Sequence, residues 1–129
     1  MFTKFNQFRK AIAGRIVTFY CERAYKKAVL LADQRHNEEG ETFYVIDHYE
    51  KRKLLSVINR SEFRKIKHLA QKMHRNEMFW SNYYNTNMLR KQCWYHTPNR
   101  SGSNALSETD KDIRHSALIR KVLKDARLY

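Results

Sequence analysis

Residues 3–36 carry an almost unbroken helical pattern, and this pattern constrains the fold more than any other feature of the sequence. The segment contains one glycine, Gly14, and no proline. Large apolar residues recur every three or four positions, which places them on common faces of a helix at 100° per residue. They form two stripes rather than one. The first stripe consists of Phe5, Phe8, Ile12, Ile16 and Phe19. The second stripe consists of Val17, Tyr20, Ala24, Ala28 and Leu31.

The two stripes are rotated from each other by roughly a third of a turn, so a straight helix cannot bury both against one sheet. We therefore expect a kink or a break near Gly14, or a first segment that docks elsewhere. The second stripe is predicted to cover the core. In that arrangement Arg23, Lys26 and Lys27 point outward.

Residues 1–16 are predicted to be an amphipathic docking arm. Residues 1–21 contain no acidic residue but include Lys4, Arg9, Lys10 and Arg15. Leaving large apolar side chains in water forgoes ~1.5–3 kcal/mol each, so the arm needs a partner. The partner is expected to be a second copy, another protein of a particle or an anionic membrane surface. The residues predicted to make this contact are Phe5, Phe8, Ile12 and Ile16.

The remainder of the chain alternates between strand-like and helix-like segments. Thr42–Tyr49 and Leu54–Ile58 are rich in β-branched and aromatic residues, and the charged run Glu50–Lys53 between them predicts a hairpin turn. Met78–Tyr84 and Cys93–Thr97 are predicted to be the third and fourth strands.

Helix caps delimit the other predicted helices. Ser61 is expected to cap a helix over Glu62–Arg75, and Ser107 is expected to cap a C-terminal helix. Asn85 or Thr86 begins a short helical turn. The predicted fold class is α+β, with a small antiparallel sheet of about four strands covered by helices, among them a long N-terminal helix and a C-terminal helix. Residues 1–129 are expected to form a single domain, since two separate cores would each be too small.

The charge balance is the main functional clue. The chain has 26 basic and 13 acidic residues and a net charge of +13, which predicts a polyanionic partner. The three glycines and one proline leave no glycine-rich cofactor loop, so no cofactor is expected. Cys21 and Cys93 are too few for a zinc site and indicate buried, reduced thiols in a cytoplasmic protein. No apolar run approaches the length of a transmembrane helix.

Basic residues cluster on helix faces that are predicted to be exposed. On the helix from Glu62, the side opposite the apolar stripe is basic, which is typical of a surface that follows phosphates. A solvated helix face is the alternative interpretation. The predicted nucleic-acid-binding residues are Arg23, Lys26, Lys27, Arg64, Lys65, His68, Lys72 and Arg75.

Aromatic residues are concentrated in the third and fourth predicted strands. Alternate residues of a strand face opposite ways, so some of these rings are expected to be exposed and to stack on bases or dock a protein. An aromatic core with a helix-covered second face is the alternative. The candidate stacking or docking residues are Trp80, Tyr83, Tyr84 and Trp94.

Several hydrophobic and turn positions resemble a family of small proteins from gut bacteria and their phages. The resemblance extends over roughly residues 28–98 and implies a shared fold and a phage or mobile-element setting, without an activity. The positions that carry it are Ala32–His36, Glu39-Gly40, Phe43–Ile46, Leu54–Asn59, Phe63, Lys67 and Cys93–Pro98.

A second resemblance is to HNH endonucleases. Asp47-His48 ends the first predicted strand, Asn59 ends the second, and His68 follows on the next helix. The resemblance implies that His48 is a general base oriented by Asn59, with Asp47 and His68 as metal ligands. Two departures count against it. The segment between His48 and Asn59 lacks the Pro/Gly-rich stretch of that family, and His68 lies opposite the apolar stripe of its helix.

The sequence therefore predicts a non-enzymatic basic protein that binds DNA, RNA or a nucleoprotein particle through basic helix faces and exposed aromatics. The alternative from another class is a structural or interaction component of a larger assembly, such as a virion or a ribonucleoprotein. A metal-dependent HNH-like nuclease is the third hypothesis.

Overall fold

The computed structural model describes residues 2–47, 54–72 and 85–127. The helices are α1 (Phe2–Glu39), α2 (Arg60–Lys72), α3 (Leu89–Gln92) and α4 (Glu108–Asp125), and a 3-10 turn, Thr86–Met88, precedes α3. The strands are β1 (Tyr44–Asp47), β2 (Leu55–Ile58) and β3 (Tyr95–His96). None of these helices carries an apolar stretch of the length needed to cross a membrane.

Helix α1 is continuous through Gly14, so the predicted break near this residue is wrong. Its 38 residues extend for about 57 Å. The first apolar stripe remains exposed, whereas the opposite face of the helix packs on the core. The helix ends before Gly40, whose N–H donates to the His36 carbonyl at 2.7 Å and whose φ is 73°.

The buried face of α1 differs from the predicted second stripe. Within that stripe Ala28 is buried, whereas Tyr20 and Leu31 are exposed. Most of the residues that face the core are small, which lets the helix backbone approach the sheet closely, while a stripe of large side chains would hold it away. The buried residues of α1 are Cys21, Tyr25, Ala28 and Ala32.

The sheet is antiparallel, with β1 between β2 and β3. Tyr44 lies opposite Ile58 in one pair, and Val45 lies opposite Tyr95 in the other. The predicted strand pair Thr42–Tyr49 and Leu54–Ile58 is therefore confirmed as β1 and β2, and the predicted fourth strand contains β3. The predicted third strand, Met78–Tyr84, lies outside the described residues.

An asparagine, not the predicted Ser61, caps α2. The Asn59 Oδ1 accepts from the Glu62 N–H at 2.7 Å, and the Glu62 Oε1 accepts from the Asn59 N–H at 3.2 Å. This reciprocal pair requires a carboxylate or amide three residues after the cap. Glu62 satisfies that spacing for Asn59, whereas the residue three after Ser61 is Arg64, which cannot accept.

Strand β1 separates two hydrophobic clusters, because its alternate side chains point to opposite faces of the sheet. Phe43 and Val45 pack with α1 and α4, and Tyr44 and Ile46 pack with α2 and α3. Helices thus cover both faces of a small antiparallel sheet, and the predicted α+β class with a long N-terminal helix and a C-terminal helix is confirmed.

Helix α4 runs antiparallel to α1. Its N-terminus is capped as predicted, with the Ser107 Oγ accepting from the Asp110 N–H at 3.1 Å. The His115 ring stacks on the ring of Tyr25, with 4.5 Å between centroids. Close to the other end of α4, Cδ2 of Leu123 lies 4.0 Å from the position that a Cβ on Gly14 would occupy. Helix α4 therefore approaches α1 from Tyr25 up to about Gly14.

Candidate nucleic-acid interface

The outer face of α2 is basic, as the sequence predicts. Phe63 is fully buried and Ile66 is half-buried, which fixes the rotation of the helix about its axis. Arg64, Lys65 and His68 consequently lie on the opposite side and are exposed. The Lys72 side chain and Arg75 lie outside what the structure describes.

The acidic residue of α2 does not neutralise this face. The Glu62 Oε1 lies 2.9 Å from Nη2 of Arg35 on α1. The same guanidinium donates to the Val57 carbonyl at 3.1 Å and lies 4.3 Å above the ring of Phe43. The Glu62 carboxylate is therefore neutralised on the inner side of α2, where it joins α1 to the sheet.

A second basic cluster lies on α1. Arg23, Lys26 and Lys27 are exposed, on the side of the helix opposite Cys21 and Ala28. Arg23 lies three residues before Lys26 and four before Lys27. At these spacings the Cβ atoms of two helical residues are about 5–6 Å apart. Within the parts of the chain that the structure describes, no acidic residue pairs with any of the three.

Two further cations, which the sequence analysis missed, lie near the start of α2. Arg60 and Arg100 are exposed and line one shallow groove together with Tyr44 and Asn59. Glu41 also borders this groove, where its Oε2 accepts from Nδ2 of Asn59 at 3.0 Å. The two arginines are far apart in the sequence, and only the folded chain brings them together.

Among the predicted stacking aromatics, Trp94 is half-buried rather than an open platform. Its Nε1 donates to the Asp47 Oδ1 at 2.6 Å, and its ring packs against the cluster formed by α1, β1 and α4. This contact corrects the prediction for Trp94, because the ring is held by the core and its N–H is already used. The other candidates, Trp80, Tyr83 and Tyr84, lie outside the described residues.

Asp47, Asn59 and His68, the described residues implied by the HNH resemblance, have separate roles or positions in the fold. The Asp47 carboxylate is held by Trp94 and by Lys121, whose Nζ lies 3.1 Å from its Oδ2. Asn59 caps α2, and His68 is exposed as expected. His48 lies outside the described residues. Over residues 2–47, 54–72 and 85–127, no group of three His, Cys, Asp or Glu side chains is positioned to hold a metal ion.

The two cysteines are free and buried, as the sequence indicates. Burial raises the pKa of Cys21 to about 11 and the pKa of Cys93 to about 12. The Arg114 guanidinium opposes this effect at Cys93, where its Nη1 lies 3.4 Å from Sγ, but burial dominates. Because a thiolate is needed for nucleophilic attack, neither cysteine is suited to nucleophilic chemistry near neutral pH.

The residues of the predicted docking arm are exposed. Phe5, Phe8, Ile12 and Ile16 all point away from the sheet and from α4.

Compared with known proteins, the chain matches no family model, no curated protein and no solved structure.

Proposed function

We propose that this chain is a non-enzymatic protein that binds nucleic acid through the phosphate backbone. The observation that carries the proposal is the outer face of α2, where Arg64, Lys65 and His68 are exposed together while the nearby acid, Glu62, is paired on the inner side. Such a face attracts a polyanion without an opposing charge to screen it.

The α1 cluster of Arg23, Lys26 and Lys27 supports the proposal. It adds three exposed cations on another helix, and the chain as a whole carries a net charge of +13. Contacts from lysine and arginine to phosphates carry little sequence information, so we expect similar affinities for mixed sequences.

The test is binding to a mixed-sequence DNA duplex and to single-stranded RNA, measured by fluorescence anisotropy from about 50 to about 300 mM salt. The variant Arg64→Glu/Lys65→Glu reverses two cations on the α2 face. The matched control, Arg120→Glu/Lys124→Glu, makes the same change in net charge at two exposed positions of α4.

We expect the α2 variant to bind at least about 10-fold more weakly than the control. The slope of the logarithm of the binding constant against the logarithm of the salt concentration should also become shallower by about 2, since each phosphate contact contributes about 0.9 to that slope. Equal losses in the two variants would mean that binding follows net charge and not this face. If the unaltered protein failed to bind either nucleic acid at about 100 mM salt, the proposed function would be wrong.

The alternative role, as a component of a larger assembly, would use a different surface. Its structural basis is the exposed apolar face of α1. In that role, substitutions such as Phe8→Gln/Ile12→Gln should abolish a protein–protein contact and leave nucleic-acid binding unchanged.

A further inference from the structure

The N-terminal half of α1 exposes a line of large apolar side chains, which we call the outer stripe: Phe5, Phe8, Ile12, Ile16 and Phe19. Their exposed fractions are 59%, 64%, 44%, 51% and 59%. They lie on the face opposite Cys21, Tyr25, Ala28 and Ala32, which pack on the core. The outer stripe is therefore not a poorly packed part of the core, because it points in the opposite direction.

The first part of the stripe also belongs to a helical segment without tertiary support. From Lys4 to Ile12 every side chain is exposed, on all sides of the helix. The end of α4 reaches α1 near Gly14, where Leu123 lies. A segment of this length gains little stability in water from its own hydrogen bonds, because helices in proteins are stabilised mainly by packing of an apolar face.

The charges beside the stripe identify the chemistry of its partner. No acidic residue occurs from residue 2 to residue 21. At 100° per residue, Lys4 and Arg15 lie on one side of the stripe and Arg9 lies on the other. A surface that covers the stripe must therefore be apolar at its centre and anionic at its edges.

A second copy of this chain fits those requirements poorly. It would place the same acid-free, basic segment against itself, with like charges on both sides of the contact. Nucleic acid fits poorly as well, since its phosphates match the basic flanks but not a row of phenylalanine and isoleucine side chains.

We infer that the N-terminal half of α1 is an in-plane anchor for an anionic lipid bilayer surface. Such a surface has anionic headgroups immediately above an apolar layer, and the apolar face of an interfacial helix enters it by about 5–10 Å. The stripe lies on one face of a continuous helix and extends for about 21 Å, so one planar surface can contact all five side chains. Because the stripe is opposite the packed face of α1, the sheet and α4 lie on the far side of the helix from the bilayer.

The experiment is vesicle flotation of the full chain at about 0.5 M salt, which screens simple attraction of a basic protein to anionic lipid. Vesicles contain roughly one-third phosphatidylglycerol in phosphatidylcholine. The test variant is Phe8→Gln/Ile12→Gln. The matched control, Met88→Gln/Ile113→Gln, removes two exposed apolar side chains elsewhere, with exposed fractions of 41% and 58%.

We expect the unaltered protein and the control to float and the test variant to partition about 30-fold more weakly. Circular dichroism melting should show that both variants fold, since all four positions are exposed. Equal flotation of the test variant and the control would overturn the inference. Flotation that disappears at high salt for every variant would also overturn it, because simple charge attraction would then explain the binding.

A fluorophore reports where the helix lies. Cys21 and Cys93 are buried, so a cysteine placed by Phe8→Cys can be labelled selectively with an environment-sensitive dye. Its emission should shift to shorter wavelength on anionic vesicles, and the same dye at Ile113→Cys should not shift. A dimer that forms without lipid and is lost in Phe8→Gln/Ile12→Gln, with no shift on vesicles, would assign the stripe to a second copy.

The inference does not depend on nucleic-acid binding by the α2 face. The variant Arg64→Glu/Lys65→Glu alters α2 and leaves the outer stripe intact, so it should float like the unaltered protein at high salt. A failure of the nucleic-acid proposal would thus leave the flotation result unchanged, and the reverse also holds.

Discussion

The hydrogen bond between Tyr95 and Asp33 links the edge strand of the sheet to α1, and its removal is predicted to destabilise the fold measurably. The Tyr95 hydroxyl donates to the Asp33 Oδ1 at 2.6 Å, and the Tyr95 side chain is buried. The substitution Tyr95→Phe keeps the ring and deletes the donor. It leaves the half-buried Asp33 carboxylate with one partner fewer.

A hydrogen bond to a charged group contributes about 1.5–3 kcal/mol. Because Asp33 is only partly buried, water replaces some of the lost interaction, and we expect a loss of about 1.5–2 kcal/mol in the free energy of unfolding. For a domain of this size the melting temperature should fall by about 5–8 °C.

Tyr44→Phe is the matched control. Tyr44 is also buried on the sheet, but its hydroxyl has no hydrogen-bond partner among the described residues. This substitution should therefore cost less than about 0.5 kcal/mol. Urea unfolding followed by circular dichroism measures both variants, and a double-mutant cycle with Asp33→Ala isolates the pair. Equal losses for Tyr95→Phe and Tyr44→Phe would refute the reasoning.

The same pair predicts a dependence on pH. Burial, reinforced by the Asp33 carboxylate, raises the pKa of Tyr95 above its ordinary value. The folded state therefore keeps the hydroxyl proton at pH values where the unfolded state has lost it. The stabilisation by this hydrogen bond is fully present below about pH 10 and decreases as the pH rises further. The difference in the free energy of unfolding between Tyr95→Phe and the unaltered protein should therefore become smaller above about pH 10.

Two further predictions concern the cap of α2 and the buried thiols. Asn59→Ala should lower the free energy of unfolding by about 1 kcal/mol, whereas Ser61→Ala should change it by less than about 0.5 kcal/mol. Urea unfolding measures both variants, and a larger loss for Ser61→Ala than for Asn59→Ala would contradict the observed cap. Cys21 and Cys93 should resist iodoacetamide at about pH 8 in the folded protein and react in urea, as followed by mass spectrometry. Rapid alkylation of the folded protein would disprove this account. Because burial raises both thiol pKa values, the free energy of unfolding should also decrease as the pH rises from about 9 towards 12.

Much of the local structure could be predicted because it depends on neighbours in the chain. Ser107 with Asp110 predicts the start of α4, and Gly40 marks the end of α1. The exposed basic face of α2 follows from the positions of Phe63 and Ile66 alone. For the same reason, the exposure of Arg64, Lys65 and His68 could be predicted from the sequence.

The errors have physical causes that a single sequence does not contain. Ser61 is a good cap residue by type, but Asn59 has the carboxylate at the correct distance along the chain. Trp94 was expected to be an exposed platform, yet Asp47 on the neighbouring strand accepts its N–H. In both cases a contact made by the folded chain, which residue type alone does not show, decides the role of the residue.

The sequence by itself determined the composition of the surface and the periodicity of the elements, because net charge is additive and helix and strand patterns depend on residues a few positions apart. Tertiary structure decided which face of α1 would be buried. The sequence offered two stripes of large apolar side chains, and the fold instead buried Cys21, Tyr25, Ala28 and Ala32, since mostly small side chains let the helix approach the sheet and α4. That choice left the outer stripe exposed along α1, because the sheet and α4 pack on the opposite face and no other described element covers it.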